Sequence, residues 1–270
     1  MPRILMCQPD YFEIEYEINP WMSKTRGADS ALALKQWQNL YQTLARLGVE
    51  VELTPASPGL PDLVFTANAG LVFKNHFFSS RFRYQERALE SPIFEQWFSQ
   101  HGFEVAQLPE RYFFEGAGDA LFCGTSLYCG YKIRSDVLGH QWLGEKLHRQ
   151  VLPLELIHPS FYHLDTCFCP LKPGMALYYP GAFDDYGLRV LRSHITFLIP
   201  VAESEALRFG CNAVVVGNHV VVNTGCEKME NDLHQAGFTT HPVDLGEFLK
   251  SGGSAKCLIL RLDGEDAAIW

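Results

Sequence analysis

The residues best equipped for chemistry fall in three stretches. Cys257 ends the glycine-bearing stretch Ser251-Gly-Gly-Ser-Ala-Lys-Cys257 and opens an apolar run through Leu260. A thiolate is a strong nucleophile, and the adjacent Lys256 favours that form. Cys7, Cys123, Cys129, Cys211 and Cys226 read as structural, because a free cysteine commonly behaves as a small buried hydrophobe. In Phe161-Tyr-His-Leu-Asp-Thr-Cys-Phe-Cys169 the two-residue period of an extended strand puts His163, Asp165, Cys167 and Cys169 on one face, histidine and carboxylate pointing the same way. Two plainer readings stand beside this one: a satisfied polar pair in a strand, and a zinc site of His163, Cys167 and Cys169. The zinc reading lacks a C-x-x-C spacing or a second histidine cluster. Phe114-Glu-Gly-Ala-Gly-Asp119 sets Glu115 and Asp119 around a small glycine loop just before an apolar strand. It reads either as a solvated turn or as a pair of acids suited to a planar cation such as guanidinium, whose N–H donors form a fork matched to carboxylates.

Something must bring these stretches together, and the hydropathy pattern predicts what. Leu71–Phe78, Ala120–Tyr131, Thr166–Tyr179 and Ala213–Asn223 each read as an apolar strand, a turn and a second apolar strand, with turn residues such as Gly217-Asn218 or Lys172-Pro173-Gly174 at the middle. Helical patterns follow. Ser91 reads as an N-cap with Pro92 in the first turn and Gly102 at the close, and similar patterns cover Ser135–His148, Asp184–Ser193 and Glu227–Ala236. An N-terminal helix carries Ala33, Trp37, Leu40, Tyr41 and Leu44 along one face. Short strands ending near proline come next: Val49–Pro55, Phe103–Pro109, Ile195–Pro200 and Phe238–Pro242. The unit is therefore ββαβ.

A polar or nucleophilic residue opens each unit: Asn68, Asp119, Asp165, Asn212 and Cys257, at separations of 51, 46, 47 and 45 residues. So even a period signals a repeat. Five such units closed around an axis make an α/β propeller with pseudo-five-fold symmetry, and equivalent strand starts then converge at one end of the central channel. An active site belongs there. With 47% hydrophobic and 20% charged positions the 270 residues suffice for one globular domain, 1–270. No export signal and no apolar stretch of ~18 residues is present, so a soluble, cytoplasmic protein with reduced thiols is expected. The net charge of −9 lacks any basic cluster, which argues against nucleic acid and membranes as partners and is compatible with a small cationic substrate. Self-association into a homo-oligomer stays open, and neither metal nor cofactor is expected.

Together, Phe65-Thr-Ala-Asn-Ala-Gly70, Glu115-Gly-Ala-Gly-Asp119, His163-Leu-Asp165 and Gly252-Gly-Ser-Ala-Lys-Cys257 resemble the guanidine-modifying superfamily of arginine deiminases, dimethylargininases and amidinotransferases. Within it the chain is most similar to the bacterial arginine dihydrolases, through Ile18-Asn-Pro-Trp-Met22, Asp62-Leu-Val-Phe-Thr-Ala-Asn-Ala-Gly70, Phe161–Pro170 and Ala255-Lys-Cys257. The resemblance implies the five-fold α/β propeller (pentein) and roles for particular residues. Cys257 would be the nucleophile, His163 the acid and base, and Glu115 and Asp165 the guanidinium holders. Arg134 and Arg81 would grip the substrate carboxylate, and Asn19, Asn68, Asp119 and Asn212 would complete the binding site. Position 68 is asparagine, as in the dihydrolases, where deiminases and dimethylargininases carry aspartate. Hydrolysis of arginine through a covalent thiouronium, to ornithine or only to citrulline, is the reaction implied. Transfer of the amidino group to an amine, and arginine binding without catalysis, are the alternatives.

Overall fold

A computed structural model describes residues 1–269. The first strand, β1 (Arg3–Cys7), is followed by helix α1 (Ser30–Arg46) and β2 (Glu50–Thr54). The Asp29 carboxylate accepts from Leu32 N and caps α1, whose Ala33, Trp37, Leu40 and Leu44 are buried on one face. The second unit is β3 (Gly70–Phe73), β4 (His76–Ser79), α2 (Glu90–Gln100) and β5 (Glu104–Gln107). The third is β6 (Ala120–Cys123), β7 (Ser126–Tyr131), α3 (Val137–Leu147) and β8 (Val151–Glu155). The fourth is β9 (Phe168–Lys172), β10 (Met175–Tyr178), α4 (Asp185–His194) and β11 (Phe197–Pro200). After the short α5 (Glu203–Ala206) come β12 (Val214–Val216), β13 (His219–Asn223), α6 (Glu227–Gln235) and β14 (Thr239–Val243). A one-turn helix α7 (Gly246–Leu249) leads to β15 (Leu260–Arg261).

Among the described residues the result is an α/β fold of five three-stranded sheets. In each of the four internal units the two hairpin strands are antiparallel, and the strand after the helix returns parallel to the second. The fifth sheet has the same pattern built from both ends of the chain, in the order β15-β1-β2. Apolar helix faces cover the sheets. Phe98 of α2, for example, stacks on Phe77 of β4 at 3.7 Å between ring centroids, and burying such a ring stabilises by roughly 1.5–3 kcal/mol.

The sheets are linked in a ring by the very positions that recur in the sequence. Asn68 Nδ2 donates to Glu115 O (3.3 Å), Leu164 N to Asp119 Oδ1 (3.0 Å), Asn212 Nδ2 to Asp165 O (3.0 Å), and Cys257 N to Asn212 Oδ1 (3.1 Å). Ala67 N then donates to Cys257 O (3.1 Å), which closes the circle.

Several local expectations are corrected. The stretch from His163 to Cys169 is not one extended strand: Leu164–Thr166 forms a 3₁₀ turn, and β9 begins only at Phe168. Asn68 likewise sits in the turn Thr66–Ala69, and Asp119 closes the turn Gly116–Gly118, so these residues precede their strands. Helix α2 starts two residues earlier than predicted, with Leu89 at its N-cap, and the Ser91 hydroxyl instead donates to Ser80 O. Asp136, not Ser135, holds the N-cap of α3. Asp184 caps α4 as predicted, accepting from Gly187 N.

Candidate active site

Cys257 lies in a turn, three residues before β15, and is fully buried. Its Sγ meets Asp165 Oδ2 at 3.4 Å and accepts from Asn212 Nδ2 at 3.1 Å. Burial, together with the Asp165 charge, pushes the thiol well above its ordinary value, so the resting residue is a thiol. That corrects the expectation that Lys256 activates it: the Lys256 ammonium is paired with Glu265 Oε1 at 2.9 Å. Burial raises Asp165 to about 7, against the lowering influence of Lys256 and of its bonds to Cys257 and Asn212.

His163 reaches Glu115 instead, Nε2 to Oε2 at 2.7 Å. Glu115 also accepts from Arg134 Nη1 (3.1 Å) and from Arg83 N (3.1 Å). Burial opposes ionisation of Glu115, but the Arg134 guanidinium and His163 hold it well below the usual carboxylate range. Burial lowers His163 to about 4, so the imidazole is neutral near pH 7. Because an ionised carboxylate only accepts, Nε2 is inferred to carry the proton, which leaves Nδ1 as an acceptor. Arg134 is clamped between the rings of Tyr84 and Tyr162, at 4.6 and 4.7 Å, and donates Nη2 to Ile18 O.

A small cavity brings Cys257, Asn68, Arg87, Arg134, Asp62 and Asn19 together. Asn68 Oδ1 accepts from Arg87 Nη1 at 2.9 Å, which turns its amide nitrogen the other way. Arg87 is held in turn by Glu90 through two bonds of 2.8 Å. Asn19 ties the wall together, donating to Ser251 O and accepting from Trp21 N. Two glycines are required here. A Cβ on Gly118 would overlap the Asn68 amide nitrogen, and Gly252, at φ +85°, carries the carbonyl that receives the Tyr162 hydroxyl at 2.6 Å. Asp165 Oδ1, Arg134 Nε and the hydroxyls of Ser251 and Ser254 are buried and have no hydrogen-bond partner within the protein. Unpaired buried polar atoms are costly, and two of these residues, Arg134 and Ser251, line the cavity, which marks it as a place for a polar ligand.

Two sequence candidates are placed elsewhere. Arg81 is exposed, bridges Phe114 through its backbone and lines an outer groove with Gln85 and Glu95. Arg87 is the second arginine at the cavity, and the Arg87/Glu90 spacing of three at a helix start was its only sequence signal. Asp119 does not line the cavity. It braces the site from behind, accepting from the Ser135 hydroxyl (2.6 Å) and Leu164 N, while Ser135 Oγ accepts from Glu115 N. Asp62, Tyr162 and Met22 also line the cavity and stood unremarked inside the longer motifs. Cys167 and Cys169 turn to backbone carbonyls, and among the described residues no group of three His, Cys, Asp or Glu side chains is arranged to hold a metal ion.

A ring of sheets enclosing a cysteine, a histidine and buried carboxylates is an architecture shared with known proteins. The chain belongs to the family described as N,N dimethylarginine dimethylhydrolase, eukaryotic, which matches residues 8–263. It is 45% identical over 265 residues to the bifunctional arginine dihydrolase/ornithine cyclodeaminase ArgZ of Synechocystis sp., covering 96% of this chain but 37% of that protein. It is 39% identical to the N(G),N(G)-dimethylarginine dimethylaminohydrolase of Mycobacterium tuberculosis, covering 96% of this chain and 85% of the relative. Among solved structures, the N-terminal domain of ArgZ, as a cysteine-to-serine variant bound to substrate, superposes with a TM-score of 0.95 at 44% identity, covering 98% of this chain and all of that one. The chain thus spans well under half the length of the bifunctional relative. Among the described residues no helix is long and apolar enough to cross a membrane.

Proposed function

We propose that this chain is a cysteine-dependent hydrolase of the arginine guanidinium group, and specifically an arginine dihydrolase releasing ornithine, ammonia and carbon dioxide. The observation that carries it is the cavity lined by Cys257, Asn68 and Arg134, with Asp165 bonded to Cys257 Sγ and its Oδ1 open, and with His163 joined to Arg134 through Glu115. The likeness to ArgZ supports arginine as substrate. The five linked sheets are read as one pentein propeller, the whole chain acting as a single catalytic domain, cytoplasmic and with its eight cysteines free.

Chemistry follows from the resting protonation states. A guanidinium cation entering the site pairs with the carboxylate of Asp165 and sets its positive charge beside the thiol, which lowers the cost of the thiolate. The thiol proton passes to His163 Nδ1, and the imidazolium so formed is balanced by Glu115. Sulfur then attacks the guanidinium carbon, the C–N bond to a terminal amine breaks, and His163 returns its proton to the departing ammonia. Water adds to the S-alkylthiouronium with His163 as base, the C–S bond breaks, and a ureido group results. A second attack on that carbon expels another ammonia and leaves a carbamoyl thioester. Its hydrolysis gives the carbamate of ornithine, which loses carbon dioxide. Two waters are consumed per arginine. Arg87 and Arg134 are the cations available for the substrate carboxylate.

Acid-quenched mass spectrometry of the protein mixed with arginine should find a covalent adduct on the peptide containing Cys257, and Cys257→Ser should lose it together with at least ~1000-fold in turnover. An active serine variant would remove Cys257 from the chemistry. A second reading, hydrolysis of dimethylarginine to citrulline, is favoured by the family match and the mycobacterial relative, and Asn68 opposes it.

A further inference from the structure

Asn212 lies in the turn between α5 and β12, fully buried, and does not line the cavity that holds Cys257. Its amide is spent on two neighbours. Nδ2 donates to Cys257 Sγ at 3.1 Å and to Asp165 O at 3.0 Å, while Oδ1 accepts from Cys257 N at 3.1 Å. The backbone adds to the grip: Lys256 N donates to Asn212 O (3.2 Å), and Asn212 N to Phe209 O (2.9 Å). These bonds fix which way the amide faces. Turned over, Oδ1 would meet the Asp165 carbonyl and Nδ2 the Cys257 N–H, acceptor against acceptor and donor against donor. Both N–H groups are thus engaged inside the protein, and none is left for a substrate. Asn212 therefore does not take the binding role that the resemblance implied.

We propose that Asn212 is a catalytic residue: its amide is the fixed donor that receives the negative charge of the Cys257 thiolate. The proposal rests on the nucleophilic role given to Cys257 above. In the resting state the sulfur faces Asp165 Oδ2 at 3.4 Å and already takes a hydrogen bond from Asn212. Such a bond to a neutral thiol is weak, whereas the same bond to a thiolate is charge-assisted. When the thiol proton leaves, the donor has no distance to travel, and its contribution grows as the charge forms, which is the condition for lowering a barrier. The titratable and charged groups facing the sulfur are Asp165 from the turn Leu164–Thr166, Tyr162 just before that turn, and Asp62, Arg87 and Arg134 across the cavity. Asp165 opposes the thiolate, and the Asn212 amide works the other way, together with the Ser254 backbone amide. Because Nδ2 also holds the Asp165 backbone, one side chain of a neighbouring unit ties nucleophile and carboxylate together.

Two substitutions give the test. Asn212→Leu is similar in shape and has no donor, and Asn212→Asp keeps an acceptor for Cys257 N but turns a carboxylate oxygen toward the sulfur. Either should slow formation of the Cys257 adduct with arginine roughly 100-fold in single-turnover mass spectrometry. Arginine affinity, measured by calorimetry in Cys257→Ser with and without the Asn212 change, should move by less than about twofold. Weakened arginine binding with an unslowed adduct would return Asn212 to the substrate and overturn the proposal. Alkylation of Cys257 by iodoacetamide at pH 9, followed by peptide mass spectrometry, needs no arginine and so separates this proposal from the functional one. A thiol titrating about one pH unit higher leaves tenfold less thiolate, of which greater nucleophilicity recovers a part, so alkylation about threefold slower is expected. Loosened packing would act the other way and speed alkylation. Slower alkylation supports the proposal even in a protein that leaves arginine untouched, and alkylation at the wild-type rate or faster in a folded variant overturns it whatever the activity. If Asn212→Leu does not fold, as a thermal melt would tell, Asn212→Asp decides alone.

Discussion

Asn68 shows how a single neutral side chain can direct the course of a reaction. Its Oδ1 is occupied by Arg87, so only its amide N–H groups are left for the cavity, beyond a long bond to Glu115 O. A donor suits the ureido oxygen on which negative charge develops in the second attack, and loss of one such donor costs roughly 100- to 1000-fold in rate. Aspartate at this position would offer acceptors only, would pair with Arg87 and would face the Glu115 carbonyl. Asn68→Asp is therefore expected to keep consuming arginine while citrulline accumulates in place of ornithine. Timed amino-acid analysis checks this, and an unchanged ornithine to citrulline ratio would refute it. Arg81, Arg83 and Arg87 show the limit of the sequence at this scale. Three arginines within seven residues do not say which one faces inward; here Glu90 and Asn68 turn Arg87 in, whereas the Arg81 backbone bridges Phe114 and its side chain faces out.

At the level of elements, the recurring positions were legible because hairpin and helix alternate with a regular period, and the hydrogen bonds that link the sheets run through those positions. What the pattern missed were the short 3₁₀ turns at Thr66–Ala69, Gly116–Gly118 and Leu164–Thr166, since three or four residues hold no periodicity to detect. The consequence is chemical. A continuous strand would have put His163 and Asp165 on one face, whereas the turn sends His163 to Glu115 and Asp165 to Cys257, dividing proton transfer from charge pairing. The turns are packed tightly enough to be tested. In Gly118→Ala the new methyl would displace the Asn68 amide, and a displacement of ~1 Å in a reacting site costs about 100-fold. Steady-state kinetics should show that loss in kcat for ornithine formation with the melting temperature little changed. A fully active variant would mean that the turn does not fix Asn68.

On the scale of the whole molecule, the pairing of β15 with β1 brings the first and last strands into one sheet. Neither the pairing of Lys256 with Glu265 nor the lodging of His140 could be read from spacing along the chain. His140 of α3 is buried against Phe114, and neither of its ring nitrogens has a hydrogen-bond partner. Burial lowers it to about 3, so it folds neutral. The folded state binds this proton more weakly than the unfolded one, so the stability at stake is complete above pH 6.5 and is lost as pH falls toward 3. Between pH 6.5 and 4 the loss is about 3 kcal/mol from this group. His140→Leu should lose that much less than wild type over the same interval in denaturant titrations, and equal losses would contradict the assignment. The most direct measurement of the central claim is the stoichiometry of products from arginine supplied as the sole substrate. Two ammonia and one ornithine for each arginine consumed, at early and late times and without added metal, are expected. Citrulline with one ammonia, or arginine recovered intact, would contradict it.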